Sequence, residues 1–456
     1  MVPKTILSLS LLAAGVLLAA IFPFPCRAQG QGPERSVTSL DQKGVTLTVY
    51  KGNLALVTDR RRVTLSKGEN RLAWEEVSAK MQPETALLSD PGHPDAVNVL
   101  EQNFDFDLLT PQKLLEKYVG RTVQVIRTNP ATGEESRESA KVLSAAGGVV
   151  LKIGDRIETG IPGRLVYPDV PPDLRDRPTL GLLLHSAAGG PQDLELSYLT
   201  TGLSWKADYV AELNPGENRM QLSGRATLTN SSGIDYRAAR VQLVAGKVNR
   251  VSAGEPRPVM FEAVRAKAAA PMPEESFFDY HLYTLPRAVT LRDNQSKQTA
   301  LLEAADIPVV REYMLRGSGT YYQTASPGSQ GKASVGVYLK FRNDAKSGLG
   351  QPLPAGVLRV YQSESAGNAR FVGEDRIDPT PRDGQVQVLL GEAFDVTAER
   401  RQTDFKRLAG TGRYTGVFES AYRIELKNAK NNPVKVTVVE PVPGDWEIVE
   451  ENHPHE

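Results

Sequence analysis

The sequence predicts a mainly β protein: antiparallel β-sandwich modules with a small SH3-like or Sm-like barrel inserted and few helices. Three observations predict it. Apolar and polar residues alternate with period two in many short runs. Gly, Asn and Pro turn signals separate those runs at short intervals. Only one segment carries both the start and the stop signals of a helix.

The chain opens on Lys4, the apolar run Ile6 to Phe22, helix-breaking Pro23 and Pro25, and small Ala28. That is the pattern of a secretory signal, 1–28, with cleavage before Gln29. Two rival readings stay open. The run of 17 residues could remain as an anchor, although a spanning helix prefers about 20. Cys26 could be acylated, although Phe24 and Pro25 stand where that chemistry wants small residues. The predicted product is exported to the periplasm or outer cell envelope. Nothing later in the sequence is long and apolar enough to span a bilayer.

Cleavage after Ala28 leaves 428 of 456 residues and removes the only cysteine, Cys26. The product then has no disulfide, thiolate metal site or cysteine nucleophile, and packing must stabilise it. Losing Lys4 and Arg27 leaves 52 basic against 54 acidic residues, a net charge of −2. That balance predicts no nucleic-acid partner and no affinity for anionic membrane surfaces.

Residues 29–110 read as an N-terminal β module. Val45, Leu47 and Val49 alternate with Thr46, Thr48 and Tyr50, Gly52-Asn53 turns, and Leu54 to Leu65 follows as a second strand. Arg71 to Val77 and Val97 to Phe106 add further strands. Residues 111–168 read as the barrel. Thr110 caps a helix, Pro111 suits its first position, and Gly120 ends it. Leu114, Leu115 and Tyr118 offer its apolar face, and about five short strands follow as far as Tyr167. The stretch Pro168 to Pro178 reads as a proline-rich linker.

Residues 178–456 read as a C-terminal β-sandwich. Short strands are expected at Leu180 to Leu184, Asp193 to Tyr198, Ala207 to Leu213, Met220 to Asn230 and Ala239 to Leu243. The segment 252–277, rich in Pro and Ala, is expected to be a flexible insertion. Strands resume at His281 and recur through Leu408, and Tyr414 to Leu426 and Val434 to Glu440 follow, joined by a hairpin loop at Asn428 to Pro433. Trp446 to Val449 is expected to begin another strand.

Several segments carry a resemblance in a fixed order. They are Leu199-Thr-Thr-Gly-Leu-Ser-Trp-Lys-Ala-Asp-Tyr209, Asn230-Ser-Ser-Gly233, Leu243-Val-Ala-Gly246, Tyr280 to Leu285, Asn428 to Val438, and Pro441 to Trp446. From about Val45 to the end the chain resembles the domain of unknown function 4139 family, exported bacterial β proteins with mucoidy inhibitor-like members. The resemblance implies a mostly β fold, with no established reaction and no assigned catalytic residue. Family members often carry a coiled coil where this chain has the barrel-like segment. They also continue past Trp446 with strands that close the sheet, so either a truncated sequence or a strand supplied by a partner is expected here.

The motif residues Gly202, Trp205, Asp208, Tyr209, Asn230 and Gly233 have a physical reading of their own. Gly202 permits a tight strand entry. Trp205 and Tyr209, four apart in a strand, share a face and can fill a core, while Asp208 points away. Asn230 to Gly233 is turn chemistry.

Catalytic signatures are missing from the sequence. The five histidines, His93, His185, His281, His453 and His455, are scattered except for the last two. Asp378 to Asp383 lacks the spacing of a calcium loop. Gly317-Ser318-Gly319, beside Tyr321 and Tyr322, reads as a loop and not a nucleophile elbow. Asp105 and Asp107 have a spacing that paired carboxylates could use, but half-exposed acids between inward Phe104 and Phe106 explain them equally well. The Arg60-Arg61-Arg62 run reads as a solvated strand face, or as a small anion-binding patch. No catalytic, cofactor-binding or metal residue is therefore assigned. The expected function is non-enzymatic, binding an envelope protein or polysaccharide; the alternative is an envelope-acting hydrolase with an unrecognised carboxylate site.

Overall fold

The structure is a computed structural model. It describes residues 33–455 apart from 106, 172–173, 247, 250–273, 278–279, 327, 364–367, 411 and 413–415. The expected leader 1–28 with Cys26, and 252–273 of the expected insertion, lie outside the described residues. Among those residues the chain is mainly β, with strands in five sheets. No described helix is long and apolar enough to cross a membrane.

The hairpin Gln42–Tyr50 and Leu54–Leu65 is the centre of an eight-stranded sheet. Its turn uses two left-handed residues, Gly52 at φ 90° and Asn53 at φ 62°. On one side, Leu54–Leu65 pairs antiparallel with Gly190–Thr200 along its length. On the other, Gln42–Tyr50 pairs parallel with Tyr236–Ala245, which in turn pairs with Tyr280–Thr284. A four-stranded sheet, in the order Arg35–Val37, Gly68–Glu75, Thr179–Ser186 and Val97–Asp105, carries further N-terminal strands. The strands before and after the barrel segment therefore interleave in the same sheets.

The motif strand Leu203–Leu213 lies inside a third sheet, between Arg219–Asn230 and Gly356–Ser363. One large core joins these three sheets and extends into the C-terminal sheet. It includes Trp74, Tyr198, Trp205, Tyr209, Leu339 and Val388.

Residues 111–167 form a separate sheet of five short strands with its own core at Leu115, Tyr118, Val125, Val142 and Leu151. Its helix Pro111–Lys117 starts as the sequence predicts: Lys113 N donates to Thr110 Oγ1 at 3.1 Å. Gly120 follows the helix at φ 85°.

The C-terminal sheet runs Val417–Asn428, Gln385–Leu408, Gly328–Arg342, Val310–Arg316 and Val436–Val439. Here the structure corrects the sequence in two places. Asn428 to Pro433 is not a hairpin loop, because Val436–Val439 crosses over to pair parallel with Val310–Arg316. Trp446 to Val449 is irregular, with Trp446 and Val449 exposed. Gln385–Leu408 is one continuous 24-residue strand, with register shifts against its neighbours taking up the irregularity.

Candidate functional site

Strand alternation sets the floor of a cleft beside the central hairpin. In Leu54–Leu65 the odd positions Val57, Asp59, Arg61, Val63 and Leu65 face inward. Asp59 and Arg61 are therefore buried, and Arg61 is only 1% exposed. Arg60 and Arg62 stay in solvent, beside Glu195 and Asp193. This corrects the reading of the arginine run as a uniformly solvated face.

Burying two charges is tolerable only if their hydrogen-bonding capacity is satisfied. Asp59 Oδ2 accepts from Arg61 Nε at 2.8 Å and from Trp74 Nε1 at 3.0 Å. Its Oδ1 accepts from Gln42 Nε2 at 2.7 Å. Arg61 Nη1 donates to the Val37 carbonyl at 2.7 Å, and the guanidinium stacks 4.8 Å from the centre of the Trp74 ring. Opposite charges two apart on an otherwise apolar face were the signal available in the sequence.

The opposite wall is built from the resembled motif. Gly202, at φ 87°, turns the chain between Gly190–Thr200 and Leu203–Leu213. A Cβ there would lie 2.8 Å from Ser231 O and Ser232 Cα. The two motif segments thus meet, and Ser231 N donates to Gly202 O at 2.7 Å. Asn230 is buried and shapes the turn: its amide donates to the carbonyls of Ile234 and Leu291, and its Oδ1 accepts from Ser232. Gly233, at φ 89°, sits where a Cβ would press on Ala79 at 2.7 Å. Ser78 ties this corner to the N-terminal strands through Thr200 Oγ1 at 2.6 Å and the Ser232 carbonyl at 3.1 Å.

Between the walls lies a partly open cleft of about 380 Å³. Asp59, Arg61, Tyr198 and Tyr236 are at its floor, and Glu76, Asp176, Arg177, Asp235 and Arg237 carry charge around it. Glu76 and Arg177 form an ion pair. Ser78 N donates to Tyr198 Oη at 3.1 Å. Tyr236 is 3% exposed, and its Oη lies among Ser78, Tyr198 and Ser232. Burial pushes the Tyr198 phenol well above its ordinary range, and pushes Tyr236 up to about 12. Both therefore stay protonated at neutral pH.

The other motif residues lie away from this cleft. Trp205 and Tyr209 share the core face, as their spacing predicts. Trp205 Nε1 donates to Val244 O at 3.2 Å, and Lys51 Nζ stands 5.1 Å over the ring. Tyr209 Oη donates to Pro354 O at 2.8 Å, with its ring held between the backbones of Gly224 and Gly356. Asp208, on the outer face, is engaged by Thr227, Lys206 and Arg359. Asp105 pairs with Arg175, and Asp107 with Lys113 and Lys117, so the two acids have different partners.

A second buried charge cluster escaped the sequence reading. Arg400, 3% exposed, lies between the rings of Tyr321 and Tyr422, 4.9 and 5.6 Å from their centres. It grips Glu440 with both Nη atoms, one at 2.7 Å. Tyr322 Oη donates to the same carboxylate at 2.7 Å. The expected loop at Gly317 to Tyr322 is thus fastened to the end of the Val436–Val439 strand, and a Cβ on Gly317 would strike Glu440 at 2.3 Å.

A search of curated proteins finds no match. A family model described as domain of unknown function DUF4139 matches residues 194–447. That span holds Tyr198, Tyr236 and the Asn230 to Gly233 turn on one side of the cleft, while Asp59, Arg61, Trp74 and Ser78 on the other precede it. Over more than half its length, and with its motif turn forming a wall of the cleft, the chain belongs to the DUF4139 family.

Proposed function

We propose that the protein is an exported, non-enzymatic β scaffold of the bacterial cell envelope that binds an envelope protein or polysaccharide at the cleft between its N-terminal hairpin and the motif turn. The observation that carries the reading is the cleft itself: a polar, charge-rimmed hollow, roofed by neither wall. The leader pattern at 1–28 supports export. Asp59, Asp105, Asp107 and Glu76 are each engaged by a cation, which weighs against these four as the acids of the rival hydrolase reading.

The test has two arms. Expression of the full chain in a bacterial host, with N-terminal sequencing of each fraction, should place the product in the periplasm beginning near Gln29. A cytoplasmic product beginning at Met1 would defeat export. Separately, the envelope glycan and envelope protein fractions are added to the purified protein and to Ile234→Trp, which fills the cleft. One fraction should raise the Tm of the wild type only; an equal rise in both would place binding elsewhere.

A further inference from the structure

We infer that the protein pairs with a second copy of itself through the edge strand Val417–Asn428, joining two five-stranded C-terminal sheets into one continuous sheet. This surface lies apart from the cleft and is independent of what the cleft binds. An edge strand presents a row of unpaired N–H and C=O groups, so folds shorten, bulge or break their edges. Among the described residues the five sheets end in ten strands. Six of these are only three or four residues long. Three longer ones, Val97–Asp105, Gln295–Pro308 and Ala369–Ile377, carry the extra residues Leu100, Leu301 and Val372, which interrupt the ladder. Val417–Asn428 differs from all of them. It runs for 12 residues without proline, glycine or an extra residue of its own, because the bulge at Thr403 lies on the neighbouring strand. No described strand pairs with its outer side.

Charge selects the occupant. Within the chain, Arg423 stands directly opposite Arg401, and Glu425 directly opposite Glu399. All four are exposed, and like charges facing each other across strands repel. Arg423 bonds Glu425 along the strand at 3.1 Å, and Lys427 reaches Glu399 diagonally at 3.1 Å, but neither row has an opposite charge across it. A second copy running antiparallel supplies both. With Ile424 opposite its own copy, Arg423 faces the partner's Glu425, and Glu425 faces the partner's Arg423. Shifting the two-fold axis to Arg423 sets two arginines face to face. Shifting it to Tyr422 opposes Glu419 and Glu425, and shifting it to Glu425 opposes two glutamates. Of these four registers, only the one centred on Ile424 opposes no like charges.

The other face of the strand fits the same register. Residues directly opposite share a face. Tyr422 then meets the partner's Leu426, a side chain left 43% exposed in the single chain. Ile424 meets the partner's Ile424, and Ser420 meets the partner's Asn428. Residues 420–428 of both copies face each other, and the two-fold repeats every contact, as an isologous interface requires. Main-chain bonds to an added strand supply affinity. The alternating charges supply selectivity, since a strand of unrelated sequence leaves them opposed or unpaired.

Sedimentation equilibrium of the purified protein over a wide range of concentration tests the pairing. The wild type should be a dimer. Arg423→Glu and Glu425→Arg each set like charges against the second copy at two symmetric places, and each should weaken the dimer about tenfold or more. Each change also removes a facing like-charge pair within the chain, so both variants should keep the wild-type circular dichroism spectrum. An equimolar mixture of the two variants should recover wild-type affinity, because each supplies the charge that the other lacks. A folding defect would not be mended by mixing. The variant carrying both changes in one chain should dimerise as the wild type does. A wild type that stays monomeric throughout would overturn the proposal. So would a dimer that neither reversal weakens, or a mixture that associates no more tightly than its two components alone.

Discussion

Truncating Asp59 to alanine tests whether the ion pair under the cleft holds the N-terminal hairpin to the rest of the fold. The carboxylate accepts from Gln42, Trp74 and Arg61 and is 4% exposed. Without it, Arg61 keeps only the Val37 carbonyl and the Trp74 face as partners, while its charge stays out of water. Removing one member of a buried pair costs about 3–5 kcal/mol. A value near 4 is roughly a thousandfold in the folding equilibrium, and a large share of a typical stability of about 5–15 kcal/mol. Urea unfolding followed by tryptophan fluorescence measures it, since Trp74 is itself a partner of the lost group. Asp59→Leu with Arg61→Met removes both charges together and should recover most of the loss. A cost below about 1 kcal/mol for Asp59→Ala would refute the reasoning. So would a double variant no more stable than the single.

Three further outcomes follow from the same geometry. Trp205→Ala should lose about 3–5 kcal/mol, read as a sharply lower Tm, because a buried ring is removed from the core; a stable variant would take Trp205 out of the packing. Glu440→Gln should cost about 2 kcal/mol by leaving Arg400 without its counter-charge. Amide exchange of Val436–Val439 should accelerate in that variant, and unchanged exchange would mean the pair does not fasten the strand. Finally, Tyr198, Tyr209 and Tyr236 all have phenols raised by burial. The unfolded chain ionises near pH 10 while the folded chain stays protonated, so stability should hold below about pH 10 and fall between 10 and about 12. Flat stability across that window would contradict the burial of these hydroxyls.

The face of each strand was legible in the sequence, and its neighbour was not. The alternation at Leu203 to Leu213 places Trp205 and Tyr209 inward and Asp208 outward, and the structure agrees. The helix at Thr110-Pro111 was equally plain, because capping is local chemistry. Period two says nothing about which strand pairs with which, so the parallel pairing of Val436–Val439 with Val310–Arg316 was read as a hairpin. Arg61 was misread because charge usually means exposure, yet its position in phase with Val57 and Val63 placed it inside. The cleft was invisible for a related reason. Its residues come from segments up to some 200 positions apart, and only pairing brings Asp59 to Tyr198 and Tyr236.

The interleaving of early and late strands has a consequence in time. Thr48 meets Gln242 across the parallel pairing, a separation of 194 residues. At roughly 5–20 residues per second of synthesis, about 10–40 s pass between the two. Until residue 200 emerges the hairpin Gln42–Tyr50 and Leu54–Leu65 has neither of its flanking strands, and until residue 245 it still lacks Tyr236–Ala245. Topologies dominated by such distant pairings fold slowly, and unpaired strands associate with whatever edge they meet. The newborn chain is therefore most exposed to misassembly between the emergence of residue 65 and that of residue 245, and a holdase that acts on it must engage the hairpin within that window.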